Sequence, residues 1–214
     1  SKTKISRDDL ILAKAHVLES EKNVVLGILR ECFAGFDPQK HKIVLINPNA
    51  SLLLIQRRWP PAYYAQLIKM ILDKCPRALV LITGDPNERE EAEHLKKQAA
   101  SVRLVNFAGK VKFSQLPALY SVSEFMVTND SGPGHFSAVT DMHAFVLFGP
   151  ATPALYGSLG NSTPIYAGLA CSPCVSASNH RKSPCRDNVC LQVIKPSDVF
   201  KIILPHLERI NAQG

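Results

Sequence analysis

The 214-residue sequence has no run of eighteen consecutive apolar residues, so no segment reads as a membrane-spanning helix. No apolar stretch of signal-peptide type follows the polar, basic start from Ser1 to Arg7, so no secretion signal is legible. Internal repeats and low-complexity tracts are also missing, which sets aside solenoids and compositionally driven disorder. Acidic side chains are the scarcer charge: 18 Asp and Glu stand against 25 Lys and Arg, a formal surplus of +7. Such a surplus suits an anionic partner, whether nucleotide, nucleic acid or anionic lipid, and serves solubility equally well. What is present is ordinary for a globular chain, 46% hydrophobic and 20% charged. The length fits one domain, or one with a small appendage, large enough to bury a core.

Residues 1–41 contain no strand pattern and read as a helical arm or interdomain segment. Ser6-Arg7-Asp8-Asp9 has the look of a capping box, Val25, Ile28, Leu29, Cys32 and Phe33 recur at helical spacing, and Gly35 with Asp37-Pro38 ends the run. From 42 to 214 the pattern changes to short apolar runs alternating with amphipathic segments. Strands are expected at 42–47, 78–83, 102–107, 124–128 and 144–148. Helices are expected behind Pro60-Pro61, over 87–99, near 114–122, after Gly132 and at the C-terminus, where Pro205 should kink the last one. This alternation predicts an α/β fold, a Rossmann-like parallel sheet covered by helices.

Ligands of open α/β sheets bind at the carboxyl ends of the strands, and three post-strand loops carry unusual residues. In Asp130-Ser131-Gly132-Pro133-Gly134-His135 the glycines permit close backbone approach, Ser131 can cap the next helix, and free N–H groups there suit an anion. Arg57-Arg58-Trp59 places two guanidinium groups where a diphosphate could be clamped. Gly84-Asp85-Pro86-Asn87-Glu88 puts carboxylates at a helix start, where one could take a ribose hydroxyl pair. Each loop also has a plain structural reading: a capped glycine turn, a solvated basic pair beside a buried Trp, and a first-turn acid favouring its helix.

Together, Asn47-Pro48-Asn49-Ala50, Arg57-Arg58-Trp59-Pro60, Gly84 through Glu88, Phe107-Ala108-Gly109-Lys110, Asn129 through His135 and Leu147-Phe148-Gly149-Pro150 resemble the C-terminal half of glycosyltransferase family 9, the ADP-heptose:lipopolysaccharide heptosyltransferases. The resemblance runs in family order from 42 to about 200. It implies one lobe of a GT-B architecture, the lobe that holds a nucleotide-diphosphate sugar. By that likeness Asn49, Ser51 and Arg57 meet the donor phosphates, Glu88 holds the ribose, and Asp130, Ser131, Gly132 and His135 grip diphosphate and sugar. Two positions depart from the family pattern: Leu52-Leu53-Leu54-Ile55 is bulky and apolar where Gly and Pro are common, and Arg57 replaces a usual Lys. The implied reaction is inverting transfer with no cofactor. Its general base belongs to an N-terminal domain for which this chain has no candidate, so donor binding without appreciable transfer is expected. The acceptor, lipid-linked or glycan, would be reached through that missing domain, in the cytoplasm or at the inner face of a membrane whose anionic surface suits the basic surplus. Another GT-B nucleotide-sugar enzyme, such as an epimerase, is the nearest alternative.

Cys32 and Cys75 lie on apolar stretches and read as small core residues. Cys171, Cys174, Cys185 and Cys190 crowd into twenty residues. Their spacing fits a structural zinc site, disulfides or free thiols, and four thiolates would leave a metal no open position for catalysis. A nucleic-acid-binding module using this cluster and His180-Arg181-Lys182 is the weakest reading, because no aromatic interleaves the basic run and no binding motif accompanies it.

Overall fold

The computed structural model describes residues 11–179 and 182–212. Six strands form one parallel sheet: β1 (Lys42–Asn47), β2 (Ala78–Ile82), β3 (Leu104–Asn106), β4 (Ser123–Asn129), β5 (His143–Phe148) and β6 (Ser162–Tyr166). Their spatial order is β3-β2-β1-β4-β5-β6, the doubly wound Rossmann order. Helices α1 (Glu19–Cys32), α2 (Pro61–Lys74), α3 (Arg89–Ala99), α4 (Leu116–Ser121), α5 (Gly132–Phe136), α6 (Pro153–Tyr156), α7 (Val189–Gln192) and α8 (Pro196–Ala212) complete it.

Strand side chains alternate between two cores. Val44, Ile46, Val80, Phe125 and Val127 face α2, α3 and α8, whereas Ile43, Leu45, Leu79, Leu81 and Met126 face α1 and α4. Both sheet faces are thus covered, which is why β1 and β2 read as continuous apolar runs rather than as alternating ones. Val25 and Leu29 of α1 are wholly buried, so this helix is part of the second core layer. Helix begins only at Glu19, where Glu21 accepts from the Leu18 N–H at 2.8 Å. Residues 11–18 form no helix or strand, with the Ala15 N–H on the Val139 carbonyl at 2.8 Å. The expected capping box at Ser6–Asp9 lies outside the described residues.

Strand β6 is absent from the sequence expectations. Its segment, Ser-Thr-Pro-Ile-Tyr, is polar and contains Pro164, and proline is tolerated in a strand only at an edge. β6 is that edge, paired on one side to β5. The helix after β4 is far shorter than expected: α5 has five residues and passes into a 3-10 turn at Ser137–Val139. Helix α8 is continuous through Pro205.

Much of the basic surplus has structural work. Arg103 donates to the Leu72, Cys75 and Ala78 carbonyls at 2.6–3.0 Å, closing the C-terminal end of α2. Arg77 reaches the Gln39 carbonyl at 2.8 Å.

At the end of the sheet where β5 begins, His206 of α8 packs on Phe125, Phe145 and His143, its ring 4.8 Å from the His143 ring. His143 is held by Asn161 and Thr163 at 2.8 and 2.9 Å. Burial, then the positive Arg209, then His143 push the His206 imidazole down to about 4. The unfolded chain therefore takes up this proton first, near the ordinary imidazole value of about 6.5, so stability is lost as pH falls from there toward the depressed value. Urea unfolding at pH 5 should show a lower midpoint than at pH 7, and His206→Phe should shrink that difference. Equal acid sensitivity in the variant would refute the assignment.

Candidate functional site

A cleft of about 890 Å³ opens at the carboxyl ends of β1, β2 and β4, beside the seam where the strand order reverses. Its floor and walls come from four loops. Asn47 ends β1 and Asn49 and Ser51 follow it, Thr83 to Pro86 and Glu88 follow β2, Gly109 to Phe113 follow β3, and Ser131 to Pro133 follow β4. Ile28 of α1 and Tyr120 of α4 add an apolar side.

Five of the eight expected ligand residues line this cleft: Asn49, Ser51, Glu88, Ser131 and Gly132. The other three form a chain of ionisable side chains beside it. Arg57 Nε lies 3.5 Å from Asp130 Oδ2, and His135 Nε2 lies 3.5 Å from Asp130 Oδ1. Asp130 is almost fully buried and His135 half exposed.

Hydrogen-bond satisfaction marks the same place. Among the described residues, the buried side-chain polar atoms with no hydrogen bond are Asn49 Nδ2, Arg57 Nε and Asp130 Oδ2. Buried polar groups are almost always paired, and an unpaired one costs roughly 1–3 kcal/mol. Arg57 Nε and Asp130 Oδ2 face each other at 3.5 Å as an ion pair without a hydrogen bond, and Asn49 stands beside Glu88, so the end of the sheet gathers polar groups whose hydrogen-bonding capacity is not used up.

Glu88 closes the turn after β2. Its Oε2 accepts from the Asp85 N–H at 2.6 Å, while Asp85 Oδ1 accepts from the Asn87 N–H at 3.0 Å, so a reciprocal box closes the turn. Burial raises the Glu88 carboxyl above the usual range, opposed by the Asp85 N–H, Arg58 and Asn49. A Cβ on Gly84 would stand 2.7 Å from Glu88 Oε2 and 2.8 Å from Asn49 Nδ2, so only glycine lets these two groups approach one another.

Several expectations need correction. Ser131 does not cap α5; its hydroxyl donates to the Asn129 carbonyl at 3.2 Å. A single turn of helix also carries little dipole, so an anion there would meet individual N–H groups. Gly134 packs the turn on the sheet rather than admitting a ligand, because a Cβ would lie 3.2 Å from Thr128 and Val146. Arg58 does not pair with Arg57 on a common anion. It donates to the Ala50 carbonyl and to Glu91, at 3.1 Å in each case.

Asn129 is the residue the sequence reading missed. Its Oδ1 accepts from the Trp59 N–H at 3.0 Å and the Tyr64 hydroxyl at 3.1 Å, and its Nδ2 donates to the Pro48 carbonyl at 2.7 Å. One fully buried amide thus joins the end of β4 to the loop after β1 and to the start of α2.

The four clustered cysteines are free thiols, Cys171 exposed and Cys190 buried. Among the described residues, no three Cys, His, Asp or Glu side chains stand close enough to hold a metal ion as they are. The expected zinc site is therefore not assembled in this arrangement. Cys75 is buried and Cys32 partly so.

Comparison with known proteins follows the same lines. The sequence pattern of glycosyltransferase family 9 (heptosyltransferase) matches residues 15–184. The chain is 28% identical over 167 residues to lipooligosaccharide heptosyltransferase 2 of Campylobacter jejuni, covering 75% of this chain and 49% of that protein. It is 29% identical over 156 residues to lipopolysaccharide heptosyltransferase 1 of Pseudomonas aeruginosa, covering 70% and 40%. Among solved structures, ADP-heptose lps heptosyltransferase II of E. coli aligns with a TM-score of 0.70 at 21% identity, over 94% of this chain and 56% of that one. A family 9 glycosyl transferase from Veillonella parvula aligns at 0.72 and 18% identity, over 92% and 54%. The chain spans about half the length of the curated relatives it matches. With most of its length matched by the family pattern, the chain belongs to glycosyltransferase family 9.

Proposed function

We propose that this chain is the donor-binding lobe of an inverting glycosyltransferase, holding a nucleotide-diphosphate sugar of the ADP-heptose kind. The observation that carries the reading is the set of buried groups on Asn49, Arg57 and Asp130 that make no hydrogen bond, the last two ion-paired at 3.5 Å, at the edge of a cleft lined by Glu88, Ser131 and Gly132. In this reading Glu88 accepts the ribose hydroxyls, while Arg57 and the free N–H groups at Ser131 and Gly132 meet the diphosphate. Asn49, Ser51, Asp130 and His135 complete the polar contacts to phosphate and sugar.

Transfer breaks the bond between the anomeric carbon and the diphosphate oxygen as an acceptor hydroxyl attacks from the opposite face. Negative charge grows on the leaving diphosphate, where Arg57 is placed to stabilise it. The base that takes the acceptor proton, and the surface that binds a lipopolysaccharide or related glycan acceptor, come from a second lobe. No metal or organic cofactor takes part, and nucleic acid is not a partner. The work is cytoplasmic, with peripheral contact to an anionic membrane surface through the remaining lysines.

Calorimetry of the chain against ADP, ADP-heptose and UDP- and GDP-linked sugars tests this. ADP-heptose should bind, and Glu88→Gln should weaken it about tenfold, the scale of a charge-assisted hydrogen bond. Because burial raises the Glu88 carboxyl, wild-type affinity should fall as pH drops through that raised value, and the variant should lack this dependence. Failure of every nucleotide sugar to bind would sink the proposal. Robust turnover by this chain without any added partner would overturn the division of labour between lobes.

A further inference from the structure

The Asp130 side chain is only 3% exposed, and its two oxygens face different bases. Oδ2 stands 3.5 Å from Arg57 Nε, and Oδ1 stands 3.5 Å from His135 Nε2. Oδ2 and Arg57 Nε are buried without a hydrogen bond. Among the described residues, no other basic side chain pairs with Asp130 and no other acid pairs with His135. The carboxylate therefore depends on ionic partners, and stranding it is costly.

The grip on Arg57 is loose where the grip on its neighbour is firm. Arg58 is tied to the Ala50 carbonyl and to Glu91, at 3.1 Å in each case. A diphosphate offers Arg57 several anionic oxygens in hydrogen-bonding geometry, a stronger partner than a carboxylate held at 3.5 Å. A guanidinium that turns to the diphosphate leaves Asp130 without its permanent cation. His135 is the group placed to replace it, and the imidazole is half exposed, so a proton can reach it from solvent.

The charge balance points the same way. Arg57 and Asp130 cancel in the free chain. The other charged side chains that line the cleft, Lys110 and Lys112 from the loop after β3 and Asp85 and Glu88 from the loop after β2, also cancel. A nucleotide-diphosphate sugar brings two negative charges into this neutral setting, and one proton on His135 halves the excess.

We propose that His135 takes up a proton as the donor binds: Arg57 passes from Asp130 to the diphosphate, and the His135 imidazolium takes over as the cation opposite the Asp130 carboxylate. One N–H bond forms at the imidazole and the proton comes from solvent. His135 is thus a positioning residue that acts on the diphosphate through Asp130 and Arg57. The exchange rests on the donor-binding reading; the dependence of His135 on Arg57 does not.

Calorimetry of the whole chain with ADP-heptose at pH 7.5, in buffers of unlike ionisation heat, counts the protons. Both phosphates of this ligand are diesters, so neither titrates near neutrality. Roughly half a proton to one proton should be taken up per ligand bound, because an imidazole is ordinarily neutral at that pH. Affinity should accordingly fall about threefold or more from pH 7 to pH 9. His135→Gln should bind more weakly, without proton uptake and without the alkaline fall, and should keep the acid fall expected of Glu88. Arg57→Met gives a reading with no ligand present: by NMR at pH 7.5, the His135 ring should move toward its protonated signal. Should either variant fail to fold, the proton count on the unaltered chain still decides. Absence of proton uptake overturns the proposal, as does uptake that persists in His135→Gln, which would place the proton on Asp130. An unmoved ring signal in Arg57→Met overturns the dependence of His135 on Arg57. If ADP-heptose does not bind the unaltered chain, the donor reading fails, while a moved ring signal still supports that dependence.

Discussion

Replacing Asn129 with alanine should lower the unfolding free energy by about 3 kcal/mol, from several buried hydrogen bonds lost at roughly 1 kcal/mol each plus partners left without a bond. The Trp59 N–H and the Tyr64 hydroxyl would both lose their acceptor, and Pro48 its donor. Trp59 and Tyr64 are buried, so water cannot easily take over. Asn129→Asp isolates the donor half of the amide. It keeps an acceptor for Trp59 and Tyr64 but turns a carboxylate oxygen toward the Pro48 carbonyl, so it should be at least as damaging near neutral pH. Denaturant titration checks both. A loss below about 1 kcal/mol in each would show that the loops are held by packing instead.

The second large effect concerns Arg57 and Asp130. Arg57→Met leaves the nearly fully buried Asp130 carboxylate with only His135 opposite it, at 3.5 Å. Removing one partner of a buried pair typically costs about 3–5 kcal/mol, because the remaining charge is stranded. Adding Asp130→Asn should restore most of the stability, since both charges are then gone. ADP affinity should behave differently: it should fall about a hundredfold in Arg57→Met and stay low in the double variant, because the cation for the diphosphate is still absent. Thermal melts and calorimetry on the four proteins of this cycle separate the two effects. Recovery of ADP binding together with stability would mean that Arg57 acts only as a counter-ion to Asp130.

The distribution of what could be read from sequence has a physical basis. Strands β1, β2, β4 and β5 were legible because a sheet covered on both faces makes each a continuous apolar run. β6 was not, since an edge strand can be polar and hold Pro164. In the site, the glycine-rich and arginine-bearing loops stood out because those residue types are unusual directly after a strand. The partition of Arg57 and Arg58 did not, because adjacent side chains diverge according to tertiary partners: Ala50 and Glu91 for one, Asp130 for the other. Asn129 was named only as part of the glycine-rich motif. Its value lies in contacts to Pro48, Trp59 and Tyr64, and no local pattern reports partners that distant in sequence.

The strand order gives the cleft a mechanical meaning. β1, β2 and β3 come from the first half of the chain, β4, β5 and β6 from the second, and the halves meet where β1 pairs with β4. Asn49, Ser51 and Glu88 belong to one side of that joint, Ser131 and Gly132 to the other. A ligand touching both is a rivet through the joint. Two fragments cut near residue 112 would be held together most strongly when it is filled, which makes the seam a natural place to split the protein into a ligand-driven reporter.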